Sequence, residues 1–213
     1  MHMLVERIMT SPVETLHVND TIHEAMNMMS RLSIRHIPIV DDDDNLAGII
    51  SDKDVNLALP SIASKDADLS LDLELGKIMR QQVTTCHPLD FVEEIAKDFY
   101  HFAIGAIPVM RGKKIVGIVT QKDMLNTFLE LTGIKEPGSI IEIDIKDRMG
   151  VIFDIGKVFK DLNIKIVSIS IYPDADKKDH KIIVLRIDAM NPLIAIEKLK
   201  ESGFNVLDPS EMS

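Results

Sequence analysis

Cysteine is almost absent from the sequence: Cys86 is the single one in 213 residues. One thiol excludes an intramolecular disulfide and any cysteine-rich zinc site. Long apolar runs are missing as well. None approaches the roughly 20 residues that a membrane-spanning helix requires, so no membrane contact is expected. The opening Met1-His2-Met3-Leu4-Val5-Glu6 has neither the basic region nor the apolar core of a signal peptide, and a cytoplasmic protein is the simplest expectation. Basic residues are scarce: 24 Lys and Arg stand against 34 Asp and Glu, a formal charge of -10. That balance argues against nonspecific nucleic-acid binding, which depends on neutralising phosphates. The deficit sits mostly in residues 1–138, with 13 basic and 21 acidic residues, and hardly at all in 139–213, with 11 and 13. A polyanionic ligand of the first part therefore needs locally placed cations or backbone amides. The seven histidines show no helical i, i+4 pair and no metal-ligand spacing. No nucleophile–base–orienter set and no Walker-type phosphate loop appears either. The expectation is a non-catalytic protein with no obligatory cofactor or metal.

What is present is an ordinary globular composition, 46% hydrophobic and 27% charged, organised by an internal repeat. Ile8-Met9 returns as Ile78-Met79, and Val13 to His17 as Val83 to His87. Ile37-Pro38-Ile39-Val40 returns as Ile107-Pro108-Val109-Met110. Gly48-Ile49-Ile50-Ser51-Asp52-Lys53-Asp54 returns as Gly117-Ile118-Val119-Thr120-Gln121-Lys122-Asp123. Asp20 and Asp90 each precede an apolar series at helical spacing: Ile22, Ala25, Met26 and Met29, then Val92, Ile95, Ala96 and Phe99. Both aspartates read as helix N-caps, and Asp90 with Glu93 as a capping box. Each copy is expected to run strand–helix–strand–strand–helix, and the two copies to pack face to face, since neither alone can hide its sheet. The expected division is about 1–68 and 69–135.

Gly133 to Gly138, with Pro137 inside it, reads as a linker. From residue 139 the pattern changes. Ile141, Ile143 and Ile145 alternate with acids as in a half-buried strand, and Asp147-Arg148-Met149-Gly150 makes a turn. Ile152, Ile155, Phe159 and Leu162 follow at helical spacing. Strands are expected through Lys165 to Ile171 and Ile183 to Ile187. Asn191-Pro192 reads as cap and first residue of a helix that stops at Gly203. Residues 139–213 are thus β-α-β-β-α-β, a ferredoxin-like split arrangement, and the whole chain is α/β (α+β).

The duplicated Gly-x-x-Ser/Thr-x-x-Asp motif over residues 1–135 resembles the tandem CBS repeat, or Bateman module. Residues 139–213 resemble an ACT domain through topology and the Asp147–Gly150 turn. The order of the two is similar to that of acetoin-utilisation AcuB-type proteins. The resemblance implies a regulatory protein that senses an adenine nucleotide (AMP, ADP or ATP) or an S-adenosylmethionine-like molecule, with the ACT part serving oligomerisation or small-molecule binding. It implies that Asp54 and Asp123 hold ribose hydroxyls and that Ser51 and Thr120 supply the hydroxyl partners. Ile37-Pro38 and Ile107-Pro108 would flank the adenine, with Val13 and Val83. The motif glycine would let backbone approach the ligand, and the amides at the helix start would favour an anion. Arg35 and His36 stand where the second copy has Gly105 and Ala106. A guanidinium there suits phosphate, while Gly105 and Ala106 leave room for an uncharged or bulkier ligand. The alternative for Arg35 is that it offsets the acids at 41–44.

The same motif also describes a well-capped helix beside an empty cleft, which leaves a structural adaptor as the competing function. The acidic run Asp41 to Asp44 reads as a solvated hairpin turn, because a calcium loop needs glycine where Leu46 stands. Cys86 reads as structural, since the matching position holds Leu16. Met26, Met28 and Met29 read as core filling. A homodimer or larger assembly is expected, because Ile-rich strands such as 164–171 make hazardous free edges; the regulated protein partner is unknown.

Overall fold

The computed structural model describes residues 3–59 and 71–207. The junction expected between the repeats, near residue 68, lies outside them. The chain forms two compact units, Met1–Leu125 and Asn126–Ser213.

In the first unit, strand β1 (Leu16–His17), helix α1 (Ile22–Leu32), strands β2 (His36–Val40) and β3 (Leu46–Ser51) and helix α2 (Asp52–Ala58) make one repeat. β1 runs parallel to β2, and β2 antiparallel to β3. The second repeat follows the same path. Cys86 bridges Val109 in parallel where β1 stood, and helix α3 (Val92–Phe102), strands β4 (Ala106–Arg111) and β5 (Lys114–Thr120) follow, then helix α4 (Gln121–Leu131), which begins in the first unit and continues past its end at Leu125. Both hairpins shift register at the same place, Ile39/Val40 and Val109/Met110. The helices bury the expected stripes, Ile22, Ala25 and Met29 in α1 and Val92, Ile95 and Phe99 in α3. Of the methionine trio, Met29 is buried and Met26 is exposed.

The caps differ from expectation. Asp20 does not cap α1; its Oδ2 accepts from the His17 amide at 2.7 Å and closes a turn. Thr21 is the cap, in a reciprocal box with Glu24. Asp90 likewise accepts from the His87 amide at 2.6 Å, and α3 begins after Phe91 without a side-chain cap bond. An aspartate one position too early serves the preceding turn, because its short side chain reaches only its own local amides.

The two repeats exchange their leading segments. Residues 5–10 lie against the second repeat: the Val5 amide donates to Asp90, Thr10 pairs with Ile118, and Val5, Ile8 and Met9 belong to the core of Cys86, Ile95, Phe99 and Ile107. Residues 75–80 lie against the first: the Leu75 amide donates to Asp20, Arg80 pairs with Ile49, and Leu75, Ile78 and Met79 join the core of Ile22, Ile37 and Ile50. Each motif glycine is required by this docking. A Cβ on Gly48 would meet the Met79 Sδ at 2.6 Å and the Arg80 carbonyl at 2.9 Å; one on Gly117 would meet the Met9 Sδ at 2.7 Å and the Thr10 carbonyl at 3.0 Å. The close approach that these glycines permit is to the partner repeat's chain, not to a ligand.

The second unit contains strand β6 (Ser139–Lys146), helix α5 (Val151–Asp161), strands β7 (Ile166–Pro173) and β8 (His180–Ile187), helix α6 (Leu193–Glu201) and strand β9 (Asn205–Leu207). The sheet order is β7-β8-β6-β9, which is the expected βαββαβ topology. Ile141, Ile143, Ile145, Ile183, Leu185 and Ile187 face the helices. In α5 the buried stripe is Val151, Ile155, Val158 and Phe159, so Ile152 is exposed rather than core. Helix α6 starts one residue later than expected: Asn191 accepts from the Leu193 amide, and Pro192 is the cap position. The segment read as a linker is fastened to this unit. Ser168 Oγ donates to the Thr132 carbonyl at 2.6 Å, Arg186 donates to the Glu136 carbonyl, and Gly138 lies where a Cβ would run into the Ile187 carbonyl.

Candidate functional site

The exchange of leading segments walls a cavity of about 990 Å³. From the first repeat it takes His36, Ile49, Ser51, Asp52, Lys53 and Asp54. From the second it takes Arg80, Gln82, Val83 and Thr84, with Phe102 to Ala106. Both sides of the motif-bearing turn therefore meet chain that lies about 30–50 residues away in sequence.

The motif is internally bonded. Asp54 Oδ2 accepts from the Ser51 amide at 2.9 Å and from Ser51 Oγ at 2.6 Å, while the Asp54 amide donates back to Ser51 Oγ at 3.2 Å. Thr120 and Asp123 repeat this box at 2.8, 2.7 and 3.4 Å. Two consequences follow for the chemistry. The Ser51 hydroxyl proton is directed to Asp54, so toward a ligand the serine oxygen is an acceptor. Asp54 has Oδ1 left for a diol, because Oδ2 already holds two donors. The amides at the start of α2 are also taken: Asp52 donates to the Arg35 carbonyl at 2.9 Å, Lys53 to Asp52 Oδ1 at 2.9 Å and Asp54 to Ser51. The helix start anticipated as an anion site is thus satisfied from within, and charge on a ligand must be met by side chains.

His36 is the group that joins the repeats here. Its imidazole packs so closely on the second repeat that a Cβ on Gly105 would lie 2.4 Å from His36 Nε2. The room that Gly105 offers is filled by His36, not kept for a bulky ligand. Burial holds the His36 pKa below its ordinary value, more strongly than Asp52 and Asp54 pull it up, and Arg35 adds to the lowering. At neutral pH it is a neutral donor and acceptor at the cavity wall.

Of the residues anticipated for a ligand, the cavity brings together Ser51, Asp54, His36 and Val83. Val13 lines a second hollow of about 550 Å³, with Ser11, Pro12, Thr15, Arg111 and Lys114. Thr120, Asp123 and Arg35 lie outside the lining of both. Ile37, Pro38, Ile107 and Pro108 are buried in β2 and β4, with Ile37 and Ile107 in the two repeat cores; the apolar wall of the larger cavity is instead Ile49, Leu57, Val83, Phe102 and Ile104. Sequence reasoning missed Arg80, Gln82 and Thr84. The available signal was the repeat register, which sets Arg80 against Thr10 directly after the matched Ile-Met pair.

Asp41 Oδ1 accepts from the Asp43 and Asn45 amides at 3.0 and 2.8 Å, and these bonds hold its carboxyl below the usual range, so the acidic run is a self-bonded turn. Cys86 is buried, and that burial pushes its thiol pKa up to about 12, with Asp90 and Asp98 adding to the rise. A thiol so protonated is a poor nucleophile. In the second unit Arg148 pairs with Asp154 at 2.7 Å and Lys181 with Asp147 at 2.8 Å across the 147–150 turn. Among the described residues no group of three or more potential metal ligands occurs, and no helix is long and apolar enough to cross a membrane.

Comparison with known proteins agrees with this anatomy. Residues 5–61 and 75–130 match the CBS domain, and residues 139–204 the ACT domain. A CBS domain-containing protein of Dictyostelium discoideum is 32% identical over 137 residues, covering 62% of this chain and 94% of that one. A structure described as an acetoin utilization protein (AcuB) from Vibrio cholerae superposes with a TM-score of 0.54 at 32% identity, over 64% of this chain and all of that one. The CBS domain pair of protein MJ0100, in complex with 5-methylthioadenosine and S-adenosyl-L-methionine, does so at 0.54 and 30%, again over 64% and 100%. Enzymes also match, but only in part: the homoserine O-acetyltransferase of Methanococcus vannielii is 29% identical over 126 residues, a quarter of its length. The chain belongs to the CBS domain family, carrying two CBS domains followed by an ACT domain.

Proposed function

We propose that this is a non-catalytic cytoplasmic regulator whose CBS pair binds an adenine nucleotide, or an S-adenosylmethionine-like ligand, in the cavity around Ser51 and Asp54. The observation that carries the reading is the joining of the two repeats at this cavity: an aspartate with one open oxygen faces apolar wall residues from the other repeat. Such a cleft fits a nucleoside, with the ribose at Asp54 and the base against Val83 and Ile104. A relative at 30% identity holds adenosine derivatives, which supports the same ligand class here. Because the walls come from both repeats, occupancy biases their relative placement if the ligand binds two arrangements unequally. The ACT domain is the dimerising element, through the exposed edge strand β7, and acetoin metabolism is the pathway that the AcuB likeness favours. The competing reading, an adaptor with empty clefts, draws on the Ser51–Asp54 box, which caps α2 whether or not a ligand binds.

Isothermal titration of the full chain with AMP, ADP, ATP and S-adenosylmethionine tests this. A bound ligand at 100 times its Kd adds about 2.7 kcal/mol to stability, so a thermal melt should rise in parallel. Absence of both heat and melt shift for all four would overturn the adenine-ligand reading and favour the adaptor.

A further inference from the structure

We infer that Arg80 makes the cavity selective for a phosphorylated nucleoside over an uncharged one. This rests on the reading of the cavity as an adenine-nucleotide site and goes further by naming the group that meets the ligand's charge. The first-unit sequence is strongly acidic, so a phosphate entering it requires a local cation. Backbone amides cannot supply that charge balance here, because those opening α2 are already bonded to Arg35, Asp52 and Ser51. The Ser51 proton is committed to Asp54. Arg35 lies outside the cavity lining, and His36 is neutral at the wall. Arg80 and Lys53 remain, and Arg80 is the better placed. Its backbone is pinned to the wall by two hydrogen bonds with Ile49, each 3.0 Å, only two residues before Ser51. Among the described residues no carboxylate pairs with it. An exposed guanidinium on a backbone held at the wall, with no carboxylate partner among the described residues, offers a bidentate grip to a phosphate.

The second repeat provides an internal comparison. At the matching position Thr10 pairs with Ile118 through bonds of 2.9 and 3.1 Å, the same geometry with a neutral side chain. The guanidinium at this position is therefore present in one of two equivalent places, and Arg80→Thr writes the second repeat's side chain into the first.

The test is titration of the full chain with AMP and with adenosine, for wild type, Arg80→Thr, Arg80→Lys and Arg35→Ala, each first checked by its melting curve. Wild type should bind AMP more tightly than adenosine. Arg80→Thr should weaken AMP by about 10- to 100-fold and adenosine by less than about threefold. Arg80→Lys should recover part of the loss, and Arg35→Ala should leave both ligands unchanged. Equal losses for AMP and adenosine in a folded Arg80→Thr protein would overturn the assignment, as would a loss of AMP affinity confined to Arg35→Ala. Wild type that binds adenosine as tightly as AMP would overturn the phosphate inference and leave the nucleoside cleft standing. Wild type that binds neither would overturn the cleft itself.

Discussion

Replacing Asp54 with alanine separates the capping that its carboxylate performs from the ribose binding proposed for it. One oxygen, Oδ2, accepts from the Ser51 amide and hydroxyl at 2.9 and 2.6 Å and so closes the box that starts α2. Loss of a cap costs about 1 kcal/mol, within a usual range of roughly 0.5–2. For a unit of this size that corresponds to a drop of about 4 °C in melting temperature. The other oxygen, Oδ1, is left for a ribose diol. Removing charge-assisted bonds to it should cost about 2–3 kcal/mol of binding, or about 30- to 150-fold in Kd. Asp123 is the control. It forms the same box with Thr120 at 2.8 and 2.7 Å but lies outside the cavity lining. Both variants should therefore lose similar stability, and only Asp54→Ala should lose affinity for a ligand of the large cavity. The assays are calorimetric titration with AMP and thermal unfolding followed by circular dichroism. Unchanged affinity in Asp54→Ala refutes the ribose assignment. Equal affinity losses in both variants refute it too, because they trace the effect to the fold.

Gly48→Ala should destabilise the chain by about 2–3 kcal/mol in a urea titration, since the new methyl meets the Arg80 carbonyl, which cannot swing aside; Gly156→Ala, with open space around it in α5, should be neutral or stabilising by up to about 1 kcal/mol. A Gly48→Ala protein of wild-type stability would contradict the tight docking of the leading segment. In the ACT domain, Asp144 is buried and receives Lys177 Nζ at 2.5 Å, His180 Nδ1 at 2.6 Å and Asn205 Nδ2 at 3.3 Å. Burial pushes its carboxyl up, and the bonds from Lys177 and His180 more than offset this, so its pKa sits below the ordinary value. Its contribution is then fully present above about pH 4 and disappears as pH falls through the lowered folded value. Asp144→Ala should cost about 1–3 kcal/mol near pH 7, and a difference from wild type that persists undiminished to pH 2 would exclude this origin. Strand β7 is a sheet edge with Ile169, Ile171 and Tyr172 exposed. Light scattering at micromolar concentration should give at least twice the single-chain mass, and Ile171→Lys should lower it; a wild-type monomer would remove the dimer.

Much of the architecture was legible because it depends on interactions short in sequence. The α1 and α3 stripes, the Asp41–Asn45 turn, the duplicated hairpins and the βαββαβ order follow from side-chain periodicity and turn chemistry acting over a few residues. Even there, local competition misled: Asp20 looked like a cap, whereas Thr21 with Glu24 carried the stronger signal of a reciprocal box. The candidate site was legible only in half. Ser51, Asp54 and Val83 stand out as parts of a repeated pattern and His36 as a departure from it, where the other copy has Ala106, but a repeat does not state which copy's segment packs on which core.

Only the tertiary structure decided that residues 75–80 cross to the first repeat and 5–10 to the second. That exchange gives Gly48 its purpose, seats His36 against Gly105 and carries Arg80 to the wall beside Ser51. It also placed Ile37 and Ile107 in the two repeat cores. The physical reason is that long-range packing selects among equally good local solutions by the apolar area each one buries. Sequence determined the pieces and their period; the choice of neighbours, and with it the chemistry of the cavity, was made by the fold as a whole.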